Sequence, residues 1–62
     1  MDINDVVVLQ VDLPEENLQK GMRGVIVTVF DVPELAYEIE FCADNGETIA
    51  EVALKPEQFE AL

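Results

Sequence analysis

The chain has 62 residues, room for one domain with a thin core, since a domain of that size buries only about 60% of the surface its unfolded chain exposes. Half of the residues (50%) are hydrophobic, which excludes the polar, charge-dominated compositions that stay disordered. Fourteen acidic residues against three basic ones give a net charge of -11, a balance that repels phosphate backbones and anionic lipid surfaces, so no nucleic acid and no membrane is expected as a partner.

The first residues lack the positive flank and long apolar centre of a signal peptide, and no apolar run approaches the roughly 18 residues needed to cross a bilayer. A cytoplasmic protein is expected, organised as a single domain over residues 1–62. Val6 to Val11 is apolar at nearly every position and reads as a first strand with both faces covered. Asp12-Leu13-Pro14-Glu15-Glu16-Asn17 breaks it, because Pro14 has no amide donor and the acidic cluster favours solvent. Leu18, in the loop that runs to Lys20, is expected to fold back as an apolar anchor.

Lys20-Gly21-Met22-Arg23-Gly24 forms a glycine-flanked turn that launches Val25-Ile26-Val27-Thr28-Val29-Phe30. The two glycines relax the steric limits on a tight turn or bulge, and a positive φ at Gly24 would make that residue specify the bend. Strict alternation puts Val25, Val27 and Val29 on the core face and Ile26, Thr28 and Phe30 on the other. Asp31-Val32-Pro33-Glu34 ends this strand. Tyr37, Ile39 and Phe41 then alternate with Glu38 and Glu40, the cleanest period-two pattern in the chain, with one face for the core and one for water or a partner. Asp44-Asn45-Gly46-Glu47 is a hairpin signal joining that strand to Thr48–Leu54. Lys55-Pro56-Glu57-Gln58-Phe59 reads as a single helical turn with Pro56 at its first position, inserting Phe59 at one end of the fold. The expected fold is all-β, a small SH3-like barrel of four to five strands with a short C-terminal helical turn. Its core is Val7, Leu9, Val25, Val27, Val29, Tyr37, Ile39, Phe41, Val52 and Leu54.

The side chains that carry most enzyme chemistry are scarce. The chain has no His and no Ser, so Ser-His and Cys-His pairs cannot form within it. Cys42 has no basic neighbour in sequence to depress its pKa and reads as a small packing residue. Glu38 and Glu40 could in principle form an acid-base pair, but that work needs a cleft, for which so short a chain has little depth. Asp44 to Glu47 has oxygen ligands and a glycine but not the 12-residue ligand spacing of a calcium loop. The expectation is no enzyme, no cofactor and no metal.

Taken together, the Val-rich first strand, the acidic Leu-Pro-Glu-Glu loop, Lys-Gly-Met-Arg-Gly, Tyr-Glu-Ile-Glu-Phe, the Gly-Glu-Thr hairpin and the final Leu-Lys-Pro-Glu-Gln-Phe resemble a family of small bacterial proteins known only as a domain of unknown function. The architecture is similar to the SH3-like barrels of the photosystem I accessory subunit PsaE, of the ferredoxin-thioredoxin reductase variable chain and of KOW-type modules. The resemblance implies a barrel and a way of using it, docking onto another protein. Fold analogy by itself supplies no function.

Three roles are therefore expected in descending order. The first is a non-catalytic protein-interaction module, an acidic accessory subunit or an immunity or antitoxin-type partner that binds a basic protein surface through Glu38 and Glu40, with Lys20 and Arg23 flanking the glycine turn as a further contact. The second is a self-assembling homo-oligomer, a homodimer in its simplest form, built on Val6, Val8, Ile26 and Phe30. The third is a KOW-like nucleic-acid module, which the net charge opposes.

Overall fold

A computed structural model describes all of residues 1–62. The alternating and β-branched segments form five antiparallel strands, β1 (Val6–Leu9), β2 (Arg23–Phe30), β3 (Ala36–Cys42), β4 (Thr48–Leu54) and β5 (Phe59–Ala61). They lie in the order β4-β3-β2-β1-β5, so the all-β expectation holds with five strands. Helix is confined to two 3-10 turns, Pro14–Glu16 and Pro56–Gln58, each with Pro in its first positions. No helix is long and apolar enough to cross a membrane.

The hydrogen-bonded ladder is not closed: β4 and β5 are its two edges. Laid flat, five strands would hold those edges about 19 Å apart. The connection from Leu54 to Phe59 reaches at most about 18 Å fully extended, and much of it is a compact 3-10 turn. The sheet therefore curls around its concave face. Phe59, the first residue of β5, meets Tyr37 of β3 edge to face there, ring centroids 5.3 Å apart at 83°. The 3-10 turn before it is capped by its own Gln58, whose Oε1 accepts from the Lys55 amide at 2.8 Å.

Nine apolar side chains fill the concave face: Val7, Leu9, Leu18, Ile26, Tyr37, Ile39, Phe41, Leu54 and Phe59. Six of the expected core residues are among them, and so are the anticipated anchors Leu18 and Phe59. Strand β2 departs from expectation. Ile26 is fully buried and belongs to the core, not to an oligomer interface, whereas Val25 and Val27 are half-buried and Val29 is exposed. Val52 is also only half-buried. The cause is a β-bulge: Ile26 pairs with Ile39 but Thr28 pairs with Glu38, so Val27 is the extra residue and the two halves of β2 face opposite ways by parity.

Gly24 also has a different reason for being glycine than a positive φ. The positive value belongs to Gly21, at +96° in the turn closed by the Met22 amide donating to the Gln19 carbonyl at 3.1 Å. Gly24 is an ordinary strand residue, paired with Val7 on one side and Phe41 on the other. A Cβ there would lie 2.6 Å from Ile39 Cγ2 and 2.9 Å from the Phe41 ring. The hairpin at Ala43–Glu47 forms as expected, as a three-residue loop. The Gly46 amide donates to Ala43 O at 2.9 Å, Ala43 N donates to Glu47 O at 2.7 Å, and Gly46 has φ +88. Cys42, expected in the packing, is exposed: the register shifts between Phe41 and Cys42, placing it at the sheet's end opposite Thr48.

Candidate protein-docking face

Residues directly opposite one another in an antiparallel pair share a face, with Cβ atoms about 4.5–5.5 Å apart. The convex face can therefore be read row by row from the register. One row crosses four strands as Glu51, Glu40, Val25 and Val6. The next crosses three as Ala53, Glu38 and Thr28. At the far side Arg23, Val8 and Glu60 form a third. The β3–β4 half of this face is acidic and the β1–β2 half carries valines.

Glu38 and Glu40 thus share the convex face, both half-buried along their stems, as the alternation of β3 dictates. The Thr48 hydroxyl donates to Glu40 Oε2 at 3.2 Å. Glu51 stands directly opposite Glu40 and diagonal to Glu38. Hydrogen bonding of its protonated carboxyl to Glu38, followed by the repulsion of the Glu38 charge and a loss of solvation, raises the Glu51 pKa above its ordinary 4.5. None of these carboxylates forms an ion pair. The one ion pair in the chain joins Lys55 to Glu34 at 3.7 Å on the exposed surface.

The two expected cationic contacts separate. Arg23 lies on the convex face and lines a shallow hollow of about 100 Å³ with Val6, Val25 and Glu40. Lys20 stands instead in the β1–β2 loop beside Asp12, Pro14 and Asn17, where its amide donates to Asp12 Oδ1 at 2.9 Å. The four residues expected to form an oligomer patch also divide. Val6 and Val8 share the convex face, Ile26 is in the core, and Phe30 lies five residues along β2 from Val25, about 17 Å away. Sequence reading missed Val25 and Glu60 on this face. Val25 could not be assigned because both faces of β2 are apolar, and Glu60 depends on the pairing of a three-residue strand.

Like charges directly opposite in a sheet are destabilising, and the raised Glu51 pKa fixes the sign of a pH effect. A carboxyl whose pKa is higher folded than unfolded binds its proton more tightly in the fold. Its contribution is fully present below the ordinary value and is lost as pH rises through the raised one. Glu51→Gln should therefore raise the melting temperature at pH 7, and the gain should shrink as pH is lowered towards 4.5. Thermal melts of both proteins across that range test this; a gain independent of pH would show that the Glu38–Glu51 contact is not its source.

A family model described as a domain of unknown function (DUF4926) matches residues 3–61, nearly the whole chain. No curated protein and no solved structure matches it.

Proposed function

We infer the role of this chain, which belongs to the DUF4926 family of unknown function, from its own surface, and propose a non-catalytic protein-interaction module of the cytoplasm. It binds a basic surface of another protein, as an accessory subunit or as an immunity or antitoxin-type partner that covers that surface. One observation carries the reading: the row Glu51-Glu40-Val25-Val6, with Glu38 beside it, sets carboxylates that form no ion pair next to the half-buried Val25 and the exposed Val6 on one sheet face. A partner with cations beside an apolar strip matches it in both chemistries. The carboxylates stand on an open convex face instead of in a cleft, which favours docking over acid-base catalysis. An SH3-like barrel fits the chain's strand order, its curled sheet and its 3-10 turn before the last strand.

The homo-oligomer reading keeps Val6 and Val8 but loses Ile26 to the core, and the exposed Phe30 stands about 17 Å along β2 from Val25, so the four residues form no single patch. A KOW-like role on nucleic acid gains only the unpaired Lys20 and Arg23 against fourteen carboxylates.

The test is the association rate with a basic protein that co-purifies with the chain. Complementary charge acts mainly on that rate and is screened over about 8 Å at physiological salt. The rate should fall roughly tenfold or more between low and high salt. Glu38→Gln with Glu40→Gln should slow association at low salt while leaving the melting curve close to that of the parent. A rate indifferent to both overturns the reading, as does preferential retention of DNA or RNA in a filter-binding assay.

A further inference from the structure

The two edges of the sheet are unequal. Strand β5 has three residues, whereas β4 has seven and no element beyond it. An edge strand presents a row of unpaired backbone N–H and C=O groups, which proteins blunt with Pro, Lys, bulges or covering segments. Residues Thr48–Leu54 contain no Pro and no Lys. The register shift leaves Ile49 as an extra residue near the start, so Ala50–Leu54 pairs regularly with Phe41–Tyr37. On the concave side, Ala50 and Val52 pack against the core yet stay half-buried, because the sheet ends beside them. On the convex side, the only charge of β4 is Glu51.

Resting on the protein-docking reading above, we propose that β4 accepts an added strand from a partner whose side chains alternate between Lys or Arg and apolar residues. Such a strand continues the backbone ladder. Its apolar side chains cover Ala50 and Val52, and its cations extend the row Glu51-Glu40 on the convex face, with Glu38 diagonal to it. A second copy of this chain fits poorly. Antiparallel self-pairing of β4 centred near its middle sets one Glu51 directly opposite or diagonal to the other, where like charges repel. The edge is thus open to a basic strand and guarded against its own.

The probe is a blocked seven-residue peptide alternating Lys and Val, titrated into the full chain and followed by amide NMR. Binding should perturb the amides of Ala50–Leu54 and slow their hydrogen exchange, and Glu51→Gln should weaken it several-fold. Two further peptides carry N-methyl groups on alternate residues, one in each phase. The phase that removes edge-facing N–H donors should lose binding at least tenfold while the other retains it. A peptide with Glu in place of Lys should not bind. Equal binding by both N-methylated peptides, perturbation centred on Val6 and Val25, or no binding by any peptide overturns strand addition. The docking reading is tested separately, by the salt dependence of association with the basic protein and by the Glu38→Gln, Glu40→Gln variant.

Discussion

Gly24→Val should lower the melting temperature by about 10 °C or more, the largest effect expected from any change at a turn or strand glycine here. A Cβ at this position meets Ile39 Cγ2 at 2.6 Å and the Phe41 ring at 2.9 Å. Both neighbours are themselves fully buried, so neither can swing away into solvent. Overfilling a packed core typically costs about 1–3 kcal/mol, and the two further methyl groups of valine place this change at the upper end. A chain of this length has a total stability of roughly 3–9 kcal/mol. In so small a domain each kcal/mol moves the midpoint by about 4–8 °C. Gly21→Ala makes the informative contrast. Nothing lies within 4 Å of a Cβ there, and the loss comes only from φ +96, about 1 kcal/mol. If Gly24→Val melted with the parent, the close approach of β2 to the Phe41 ring would not be what requires glycine at this position.

The same residue marks the limit of what the sequence discloses. Strand β3 is legible because only one of its faces is apolar: Tyr37, Ile39 and Phe41 have nowhere to go but inward, and Glu38 and Glu40 nowhere but outward. The Asn45-Gly46 hairpin is legible because a positive φ selects glycine locally. Strand β2 offers Val, Ile and Phe to both faces, so alternation alone cannot choose its phase. The choice is made by two events outside the strand's own pattern, the stacking of Phe41 beneath Gly24 and the bulge at Val27. Strict alternation from Val25 puts Val25, Val27 and Val29 inward and Ile26 outward, whereas Ile26 is the buried residue and Val25 lies on the convex face. Strand β5 is too short for periodicity and exists through its pairing with β1, Leu9 opposite Phe59. On the convex face, Glu38 and Glu40 follow from the alternation of β3 and were legible, as were Val6 and Val8 of β1. Val25 depends on the phase of β2 and was not.

Leu18→Ala should destabilise the fold by about 2–5 kcal/mol, the usual loss on truncating a buried leucine, although the residue lies in a loop. The segment between β1 and β2 folds into a small structure that exists to deliver this side chain. Pro14–Glu16 forms a 3-10 turn, Asn17 ends it in the left-handed region at φ 60, and the chain doubles back. Leu13 and Leu18 then exchange backbone hydrogen bonds, with Leu13 N donating to Leu18 O at 2.9 Å and Leu18 N to Leu13 O at 3.1 Å. Leu18 is left only 1% exposed within the core cluster, and Leu13 and Val11 pack against that cluster. Removing its side chain opens a cavity at the margin of a nine-residue core, which has no second cluster to absorb the loss. Chemical denaturation should show the midpoint shifting with little change in slope, and Leu18→Met, close in volume, should retain most of the stability. Were Leu18→Ala to unfold at the parent's midpoint, the loop would be an ornament on the sheet and not a part of its core.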